Sequence, residues 1–363
     1  MIEPNITLIT LDYPPEFGGV ARYLGSLVKE TDGVMSVVVP DGHSVDGPGR
    51  VETRTMFGRV WPRWWPLVAI CRGEKERNRT ILVSHVFPVG TAALISKCLG
   101  GPDYSVIVHG LDVRLARGTW KRWLLKHICK NAKAVIANSE STKNDLLAIV
   151  PGVTVTVLTP AVDGAPYPSR EDARRMLGIG PDEKVVLTVA RLVPRKGVDM
   201  SIRAMARIQA KQDVRYVVIG EGSDRERLEQ VATKCRTKVT WIRNVSDNEK
   251  NTWFGSADVF LLPVREDETD VEGFGIVYLE AAKAGIPSVA GKAGGAGEAV
   301  VHERTGLLVN PNHLDDITGD VERLLSDEDL RKTLGQQAKE RVERDFRWHD
   351  RWAILSSLLG IKL

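Results

Sequence analysis

Cysteine is scarce in this sequence of 363 residues, with four at positions 71, 98, 129 and 235 and no Cys-x-x-Cys pair. This spacing excludes a zinc ribbon or a disulfide framework and favours a reducing compartment. No apolar run approaches the roughly 20 residues needed to span a bilayer. The first ten residues, MIEPNITLIT, lack the basic region and the long apolar core of a signal peptide. We therefore expect a cytoplasmic location, with attachment to the inner face of a membrane left open.

An excess of one charge is also missing, since 50 basic residues against 47 acidic ones give a net charge of +3. That balance excludes a protein that coats nucleic acid, so a cationic function must come from local clustering. Hydrophobic residues make up 43% and charged residues 27%, as in globular proteins. The length predicts two domains rather than one.

Short runs rich in Val and Ile alternate with longer amphipathic stretches along nearly the whole chain. This βα alternation is typical of parallel sheets and predicts two doubly wound domains that face each other across a cleft. Residues 161–168 contain several Pro and Gly breakers and form the predicted linker. The last fifty residues have the pattern of three helices. The predicted strands are 6–11, 34–40, 80–83, 104–109, 134–137 and 153–158 in the first half, and 184–190, 214–219, 239–242, 259–262, 287–290 and 306–309 in the second.

Two motifs follow predicted strands of the first half. Residues 13–20, YPPEFGGV, place Gly18 and Gly19 at the start of a helix, where the backbone can approach an anion. The motif HGLD begins at His109, whose ring can hydrogen-bond a substrate hydroxyl. An ordinary strand-to-helix turn and a structural histidine remain the alternatives. His85 also lies at a strand end and is the weaker candidate.

Cationic side chains follow the first predicted strand of the second half, in the motif RLVPRKG at residues 191–197. Arg191 and Lys196 can converge on one polyanion across the Pro-Gly turn, with Arg as a fork and Lys as a point charge. Arg195, between them, is predicted to be solvated, and the alternative for the whole motif is a charged surface loop. The nearby Gly220-Glu221-Gly222 lacks the third glycine of a dinucleotide fingerprint, which excludes an NAD site.

The most specific motif is EGFGIVYLE at residues 272–280, where two glycines lead directly into an apolar helix. The first N–H groups of that helix can bind phosphate. Glu272 before the helix and Glu280 within it suit hydroxyl groups on either side of a diphosphate, which is the layout of a nucleotide-sugar. The alternative is a helix-start carboxylate and an unrelated surface carboxylate.

Two further kinds of segment have compositions that could suggest binding, one to a metal ion and the other to a membrane surface. The acidic run at residues 266–270 contains no His or Cys, so we expect no metal site there. The basic aromatic helix from Trp120 to Lys130, with the sequence WKRWLLKHICK, suits an anionic bilayer surface, as does WPRWW at residues 61–65. A packed helix with a solvated basic face is the alternative.

Taken together, these motifs resemble those of retaining glycosyltransferases of the large bacterial family 4 group, which have the two-domain GT-B fold. The similarity covers almost the whole chain, and a narrower likeness points to glycolipid mannosyltransferases. It implies an acceptor-side domain over residues 1–164, a nucleotide-sugar domain over 165–345, and a final segment, 346–363, that returns to the first domain. The segments that carry the similarity are FGGV, HGLD, ANSE, ARLVPRKG, IGEGSD, ADVFLLP and EGFGIVYLEAAKAGIP.

The resemblance assigns roles to matching residues around the donor. Arg191 and Lys196 would hold the diphosphate and stabilise it as it leaves. Glu272 would bind hydroxyl groups of the transferred sugar, and Glu280 would bind the ribose. His109 would contact the sugar or its reacting face.

Other assignments involve mainly the backbone. The N–H groups of Phe274, Gly275 and Ile276 would lie near the sugar, and Gly18 and Gly19 would close over the phosphates. The segment 243–250 would meet the nucleobase, Val245 through its backbone and Lys250 through an ammonium group that favours a guanine carbonyl.

The implied reaction moves a hexose from a GDP- or UDP-linked donor to a glycan or lipid-linked acceptor, without a cofactor. Cations and a helix N-terminus would stabilise the leaving diphosphate in place of a metal. The acceptor would attack from the face that the phosphate leaves, with the phosphate taking its proton. The competing hypotheses are a nucleotide-sugar epimerase of the same fold and a silent relative that acts as a partner protein.

Overall fold

The computed structural model describes residues 4–16, 18–116, 118–162, 167–266 and 272–361. The chain divides into two compact units, of which the first comprises Met1–Pro160 with Trp348–Leu363 and the second Ala161–Arg347. Each contains one parallel sheet with helices on its faces. This is the doubly wound α/β architecture that the alternating pattern predicts, and that prediction is confirmed for both halves.

The first unit has a seven-stranded sheet in the order β3-β2-β1-β4-β5-β6-β7, with every adjacent pair parallel. The strand order reverses between β1 and β4, and in such sheets ligands bind outside the carboxyl ends of the strands at this point. The strands are β1 Ile6–Ile9, β2 Met35–Pro40, β3 Arg50–Arg54, β4 Thr80–Ser84, β5 Tyr104–Val108, β6 Val135–Ala137 and β7 Val155–Val157.

The helices of the first unit cover the sheet and include the last helix of the chain. Helices α2, α3 and α5 share one buried cluster, to which they contribute Leu67, Ala92 and Ile128. The helices are α1 Gly19–Glu30, α2 Pro66–Glu76, α3 Thr91–Cys98, α4 Gly110–Leu115, α5 Thr119–Asn131, α6 Glu140–Ile149 and α15 Trp348–Leu359, with a π-helical turn at Val86–Gly90.

The second unit has a six-stranded sheet in the order β10-β9-β8-β11-β12-β13, which reverses between β8 and β11. Its strands are β8 Lys184–Val189, β9 Val214–Ile219, β10 Val239–Ile242, β11 Val259–Leu262, β12 Ser288–Gly291 and β13 Gly306–Val309. Its helices are α7 Arg170–Leu177, α8 Val198–Gln209, α9 Arg225–Cys235, α10 Asp247–Ser256, α11 Ile276–Lys283, α12 Ala296–Ala299, α13 Leu314–Ser326 and α14 Glu328–Asp345.

The predicted strands match observed ones to within a few residues, but the prediction missed β3. That strand, with the sequence RVETR, lies at the sheet edge and is largely exposed, so it carries no apolar run. Three helices, α13 to α15, occupy the last fifty residues as predicted. Residues 163–166 of the predicted linker lie outside the described residues.

Candidate active site

A short 3₁₀ turn, Pro194–Lys196, follows strand β8 at the reversal point of the second sheet. Gly197 ends the turn at φ +70°, and a Cβ atom there would lie 2.1 Å from the carbonyl oxygen of Pro263. Only glycine fits such a close backbone approach. This tight turn holds Arg195 and Lys196 in buried positions, each 9% exposed.

Glu272 is the anionic centre of this part of the site. Its Oε2 accepts a hydrogen bond from Arg195 Nη1 at 2.8 Å and another from Lys196 Nζ. Burial alone would raise the pKa of Glu272, but the charges of Lys196 and Arg195 and their hydrogen bonds lower it to about 2. Burial, with the charges of Arg195 and Arg191, lowers the pKa of Lys196. The carboxylate therefore stays ionised at neutral pH and neutralises only part of the local positive charge.

The prediction that Arg195 is solvated was wrong. Its guanidinium group is buried against Glu272, because the 3₁₀ turn directs two consecutive side chains toward the same carboxylate. Arg191, by contrast, is exposed. Its charge still reaches Lys196, as the effect on the pKa of Lys196 shows. The sequence motif thus supplies three cations rather than two.

Helix α11 begins at Ile276, immediately after Gly275, whose φ of +89° and ψ of +64° are left-handed. A Cβ atom on Gly275 would lie 2.5 Å from the Tyr278 ring, so glycine is required there. The Phe274 side chain is buried and packs against Phe346, 5.8 Å away between ring centroids. The backbone of Phe274 and the first N–H groups of helix α11 closely follow Glu272 in the chain. The N-terminus of a helix favours an anion.

A second ion pair joins two residues that the sequence assigns to the nucleoside. Lys250 Nζ lies 3.1 Å from Glu280 Oε1 and 2.8 Å from Asp247 Oδ1. Lys250 and Glu280 are both buried. The structure therefore brings the predicted base-binding lysine and the predicted ribose-binding carboxylate into direct contact, which sequence spacing did not reveal.

Three further residues from the sequence motifs of this unit lie in the loops that follow strands β9 and β10. Val245 is partly buried in the loop between β10 and α10. Gly220 and Gly222 approach the backbone of the Arg191 loop, because Cβ atoms on them would lie 1.9 Å from Ala190 O and 2.1 Å from Leu192 O. Their glycine identity therefore reflects backbone packing rather than a dinucleotide fingerprint.

His109 follows strand β5 in the first unit and is 5% exposed. Its Nε2 lies 2.9 Å from Ser84 Oγ, and Tyr23 packs edge-on at 6.1 Å between ring centroids. Burial, followed by the charge of His85, lowers the pKa of His109 to about 3, so the ring is neutral near pH 7. Within the described part of the chain, its buried Nδ1 has no hydrogen-bond partner.

Gly18 and Gly19 begin helix α1 in the same unit. A Cβ atom on either would meet no heavy atom of the described residues within 4 Å, and Gly18 has an extended φ of −179°. Packing against the described residues therefore does not require glycine at these positions, in contrast to Gly197 and Gly275. Phe17, which precedes them in the motif, lies outside the described residues.

The acidic run falls mostly outside the described residues, which include only Glu266 of positions 266–270. In the ranges that the structure describes, no group of three or more His, Cys, Asp or Glu side chains could hold a metal ion.

The basic aromatic helix is α5. It buries Leu125, Ile128 and Cys129, while Trp120 is 64% and Trp123 59% exposed. The loop before α2 exposes Trp61 to 88%. No helix in the described ranges is long and apolar enough to cross a membrane.

Each half of the chain matches a family model. Residues 17–166 match "Glycosyltransferase Family 4", and residues 169–341 match "Glycosyl transferases group 1". Over its two doubly wound units, the fold is that of GT-B glycosyltransferases. The chain is similar in structure to sucrose-phosphate synthase from Thermosynechococcus elongatus, with a TM-score of 0.84, 21% identity and coverage of 99% of this chain and 98% of the other. It is also similar to Anabaena HepE in complex with UDP and glucose, with a TM-score of 0.81, 21% identity and coverage of 98% and 99%.

Curated relatives align over the whole length. The GDP-mannose-dependent alpha-(1-6)-phosphatidylinositol monomannoside mannosyltransferase of Mycobacterium tuberculosis is 30% identical over 98% of both chains. The enzyme of Corynebacterium glutamicum named for the monoacylated form of that substrate is 27% identical over 97% of both. The chain belongs to the family 4 glycosyltransferases and is a hexosyltransferase, so the predicted family, fold and enzyme class are confirmed.

Proposed function

We propose that this enzyme transfers a mannosyl residue from GDP-mannose to a glycosylated, phospholipid-linked acceptor. Transfer retains the configuration of the sugar and needs no metal. The proposal of a nucleotide-sugar donor rests on the buried cluster of Arg195, Lys196 and Glu272 at the start of α11. The full-length similarity to GDP-mannose-dependent mannosyltransferases supports the choice of donor and acceptor.

The charges of this cluster suit a leaving diphosphate. Arg191 and Lys196 supply positive charge, and Lys196 together with Arg195 keeps Glu272 ionised beside them. The N-terminus of α11 adds N–H donors. Such preorganised groups act where negative charge develops, and this is usually the largest contribution to catalysis. Glu272 accepts hydrogen bonds from the hydroxyl groups of the transferred sugar.

The pair of Lys250 and Glu280 suits the nucleoside. Glu280 accepts hydrogen bonds from the ribose hydroxyl groups, and Lys250 donates to a base carbonyl beside it. An ammonium group carries only donors, so it matches the O6 acceptor of guanine. This arrangement disfavours ADP, whose adenine carries an amino group and no carbonyl, and the similarity to GDP-mannose-dependent enzymes supports GDP over UDP.

The chemical step exchanges one bond at the anomeric carbon. The bond from C1 to the phosphate oxygen breaks, and the bond from C1 to the acceptor oxygen forms on the same face of the sugar. The acceptor proton passes to a phosphate oxygen of the leaving GDP. Arg191 and Lys196 stabilise the charge that builds on that phosphate.

Donor identity is tested by thermal shift and calorimetry with GDP, UDP and ADP. We expect GDP to stabilise the protein most when the three nucleotides are compared at one concentration, and by about 2.7 kcal/mol where that concentration is 100 times the dissociation constant of GDP. Lys250→Met should lose the preference for GDP over ADP, whereas Lys234→Met on α9 should keep it. Transfer of radiolabelled mannose from GDP-mannose to phosphatidylinositol monomannoside then tests the acceptor. Stabilisation by UDP but not GDP would contradict the proposed donor.

A lipid-linked acceptor gives the exposed surface of α5 a function. The exposed side chains Trp120, Trp123, Lys126 and Lys130 combine aromatic rings with positive charge, as in helices that lie on anionic bilayers. Helices α2 and α5 pack in one layer around α3. Trp61, in the loop before α2, is a further exposed aromatic side chain of the same unit.

We expect the protein to co-sediment with phosphatidylglycerol vesicles but not with phosphatidylcholine vesicles, and high salt should release it. The double variants Trp120→Ser/Trp123→Ser and Lys126→Glu/Lys130→Glu should bind at least fivefold less. Lys332→Glu/Lys339→Glu on α14, with the same change in charge, should bind as wild type does. Equal binding to both lipids would disprove this attachment.

A further inference from the structure

Three polar side chains follow the three central strands of the first sheet. Asp12 follows β1, His85 follows β4 and His109 follows β5. The strand order reverses between β1 and β4, so Asp12 and His85 stand at the switch point of this sheet. Parallel sheets bind their ligands at this place. The contacts of the donor cluster account for neither Asp12 nor His85.

Both ring nitrogens of His85 face oxygen acceptors. Nδ1 lies 2.6 Å from the carbonyl oxygen of Ser84, and Nε2 lies 3.2 Å from Asp12 Oδ2. A carbonyl and a carboxylate can only accept hydrogen bonds, so this geometry favours a proton on both ring nitrogens. Burial lowers the pKa of His85, but the hydrogen bond to Asp12 and the charges of Asp112 and Asp12 outweigh it and raise the pKa.

The backbone holds His85 in an unusual conformation, with a φ of +82°. A non-glycine residue rarely adopts positive φ, and such strain clusters at functional sites. Asp112 fixes the neighbouring loop ends, because its carboxylate accepts the N–H groups of Val86 and His109, each at 2.9 Å. The Asp112 carboxylate is thus occupied by backbone N–H groups. The Asp12 side chain, by contrast, is 48% exposed.

The neighbouring ring of His109 lies 5.9 Å from that of His85. His109 is neutral, and its buried Nδ1 has no partner among the described residues. The three side chains therefore place a carboxylate, the imidazole that holds it and a neutral ring within a small region. The carboxylate disfavours a phosphate group, whereas adjacent hydroxyl groups can donate hydrogen bonds to its two oxygens.

We propose that Asp12 and His85 form the acceptor-binding pair of this enzyme and bind adjacent hydroxyl groups of a polyol ring, beside His109. The proposal rests on the proposed function, since it assigns residues of the first unit to the acceptor of that reaction. The two carboxylate oxygens of Asp12 accept hydrogen bonds from adjacent hydroxyl groups, and His85 holds the carboxylate in place. The pair orients the acceptor and does not itself exchange a proton with the sugar.

The test uses the full-length protein with Asp12→Asn and His85→Asn. The first change keeps the shape of the side chain, and asparagine is among the non-glycine residues enriched at positive φ, the sign that residue 85 adopts. The probe is the deacylated headgroup of phosphatidylinositol monomannoside, titrated by calorimetry with and without GDP. We expect each variant to bind the headgroup at least tenfold more weakly and to bind GDP within twofold of wild type. In transfer assays the acceptor KM should rise at least tenfold while the donor KM stays unchanged.

Asp103→Asn is the matched control, because Asp103 forms an exposed ion pair with Lys97 at 2.8 Å in the same unit. It should bind the headgroup as wild type does. Unchanged headgroup binding in folded Asp12→Asn and His85→Asn would overturn the proposal. Failure of wild type to bind the headgroup would overturn it as well, even where GDP binds normally. Failure to bind GDP contradicts the proposed donor instead, and the titration without GDP still decides the role of the pair.

Discussion

Replacing Lys196 with methionine is expected to reduce kcat for mannosyl transfer by a factor of about 10² to 10³. Removing one preorganised donor to a developing oxyanion costs about 2.7–4 kcal/mol of barrier, and Lys196 is the buried point charge of this site. Methionine keeps most of the side-chain volume, so the loss reports the charge rather than a cavity. The measurement is single-turnover transfer from GDP-mannose at saturating donor.

The control for this prediction is Lys211→Met, because Lys211 makes an exposed ion pair with Glu322 at 2.6 Å in the same unit. Exposed pairs contribute about 0–1 kcal/mol to stability, so that variant should retain its activity and its melting temperature. If Lys196→Met remains folded and loses less than threefold in kcat, then Lys196 does not stabilise the leaving diphosphate. The catalytic charge would then have to come from Arg191 and α11.

The sequence predicts the strands and the loops of the site well, because apolar runs and glycine motifs are local signals. Arg195 is a residue whose environment these local signals do not predict. An arginine beside a lysine in a charged loop is expected to be solvated, but Arg195 is buried because it pairs with a carboxylate 77 positions further along the chain. The contact between Lys250 and Glu280 has the same origin. Residue pairs that meet only when distant strands pack side by side have no characteristic spacing in the sequence, so sequence patterns do not reveal them.

The first unit illustrates the same limit in a different way. His85 and Asp12 are 73 positions apart and meet because β4 lies next to β1 in the sheet. The sequence pattern identifies strand ends but not the order of strands. His109 carries a recognisable HGLD motif, whereas His85 and Asp12 carry none. Strand order is therefore the information that turns isolated strand-end residues into a candidate acceptor site.

Replacing Glu272 with glutamine should destabilise the protein and also abolish most of its activity. Glutamine keeps the shape but leaves Arg195 and Lys196 as buried cations without their counter-charge. Breaking a buried pair in this way costs about 3–5 kcal/mol, which corresponds to a fall in Tm on the order of 10 °C. The exposed control Glu322→Gln should change Tm little.

Added GDP should separate this electrostatic explanation from simple loss of packing. The diphosphate replaces the missing negative charge, so GDP should raise the Tm of Glu272→Gln by more than it raises that of wild type. Mannosyl transfer should not recover, because the acceptor for the sugar hydroxyl groups is gone. An equal GDP shift in both proteins would show that Glu272 does not balance the phosphate-binding cations.

The lowered pKa of Glu272 also predicts how the difference in Tm between wild type and Glu272→Gln depends on pH. Its pKa lies at about 2 in the folded protein, below the ordinary value of 4.5. The ionised carboxylate therefore contributes stability above pH 4.5, and this contribution is lost as the pH falls toward 2. The difference in Tm between wild type and Glu272→Gln should stay constant from pH 5 to pH 8 and should shrink below pH 4.5. A difference that is already shrinking at pH 7 would mean that Arg195 and Lys196 do not hold the carboxylate in its ionised form.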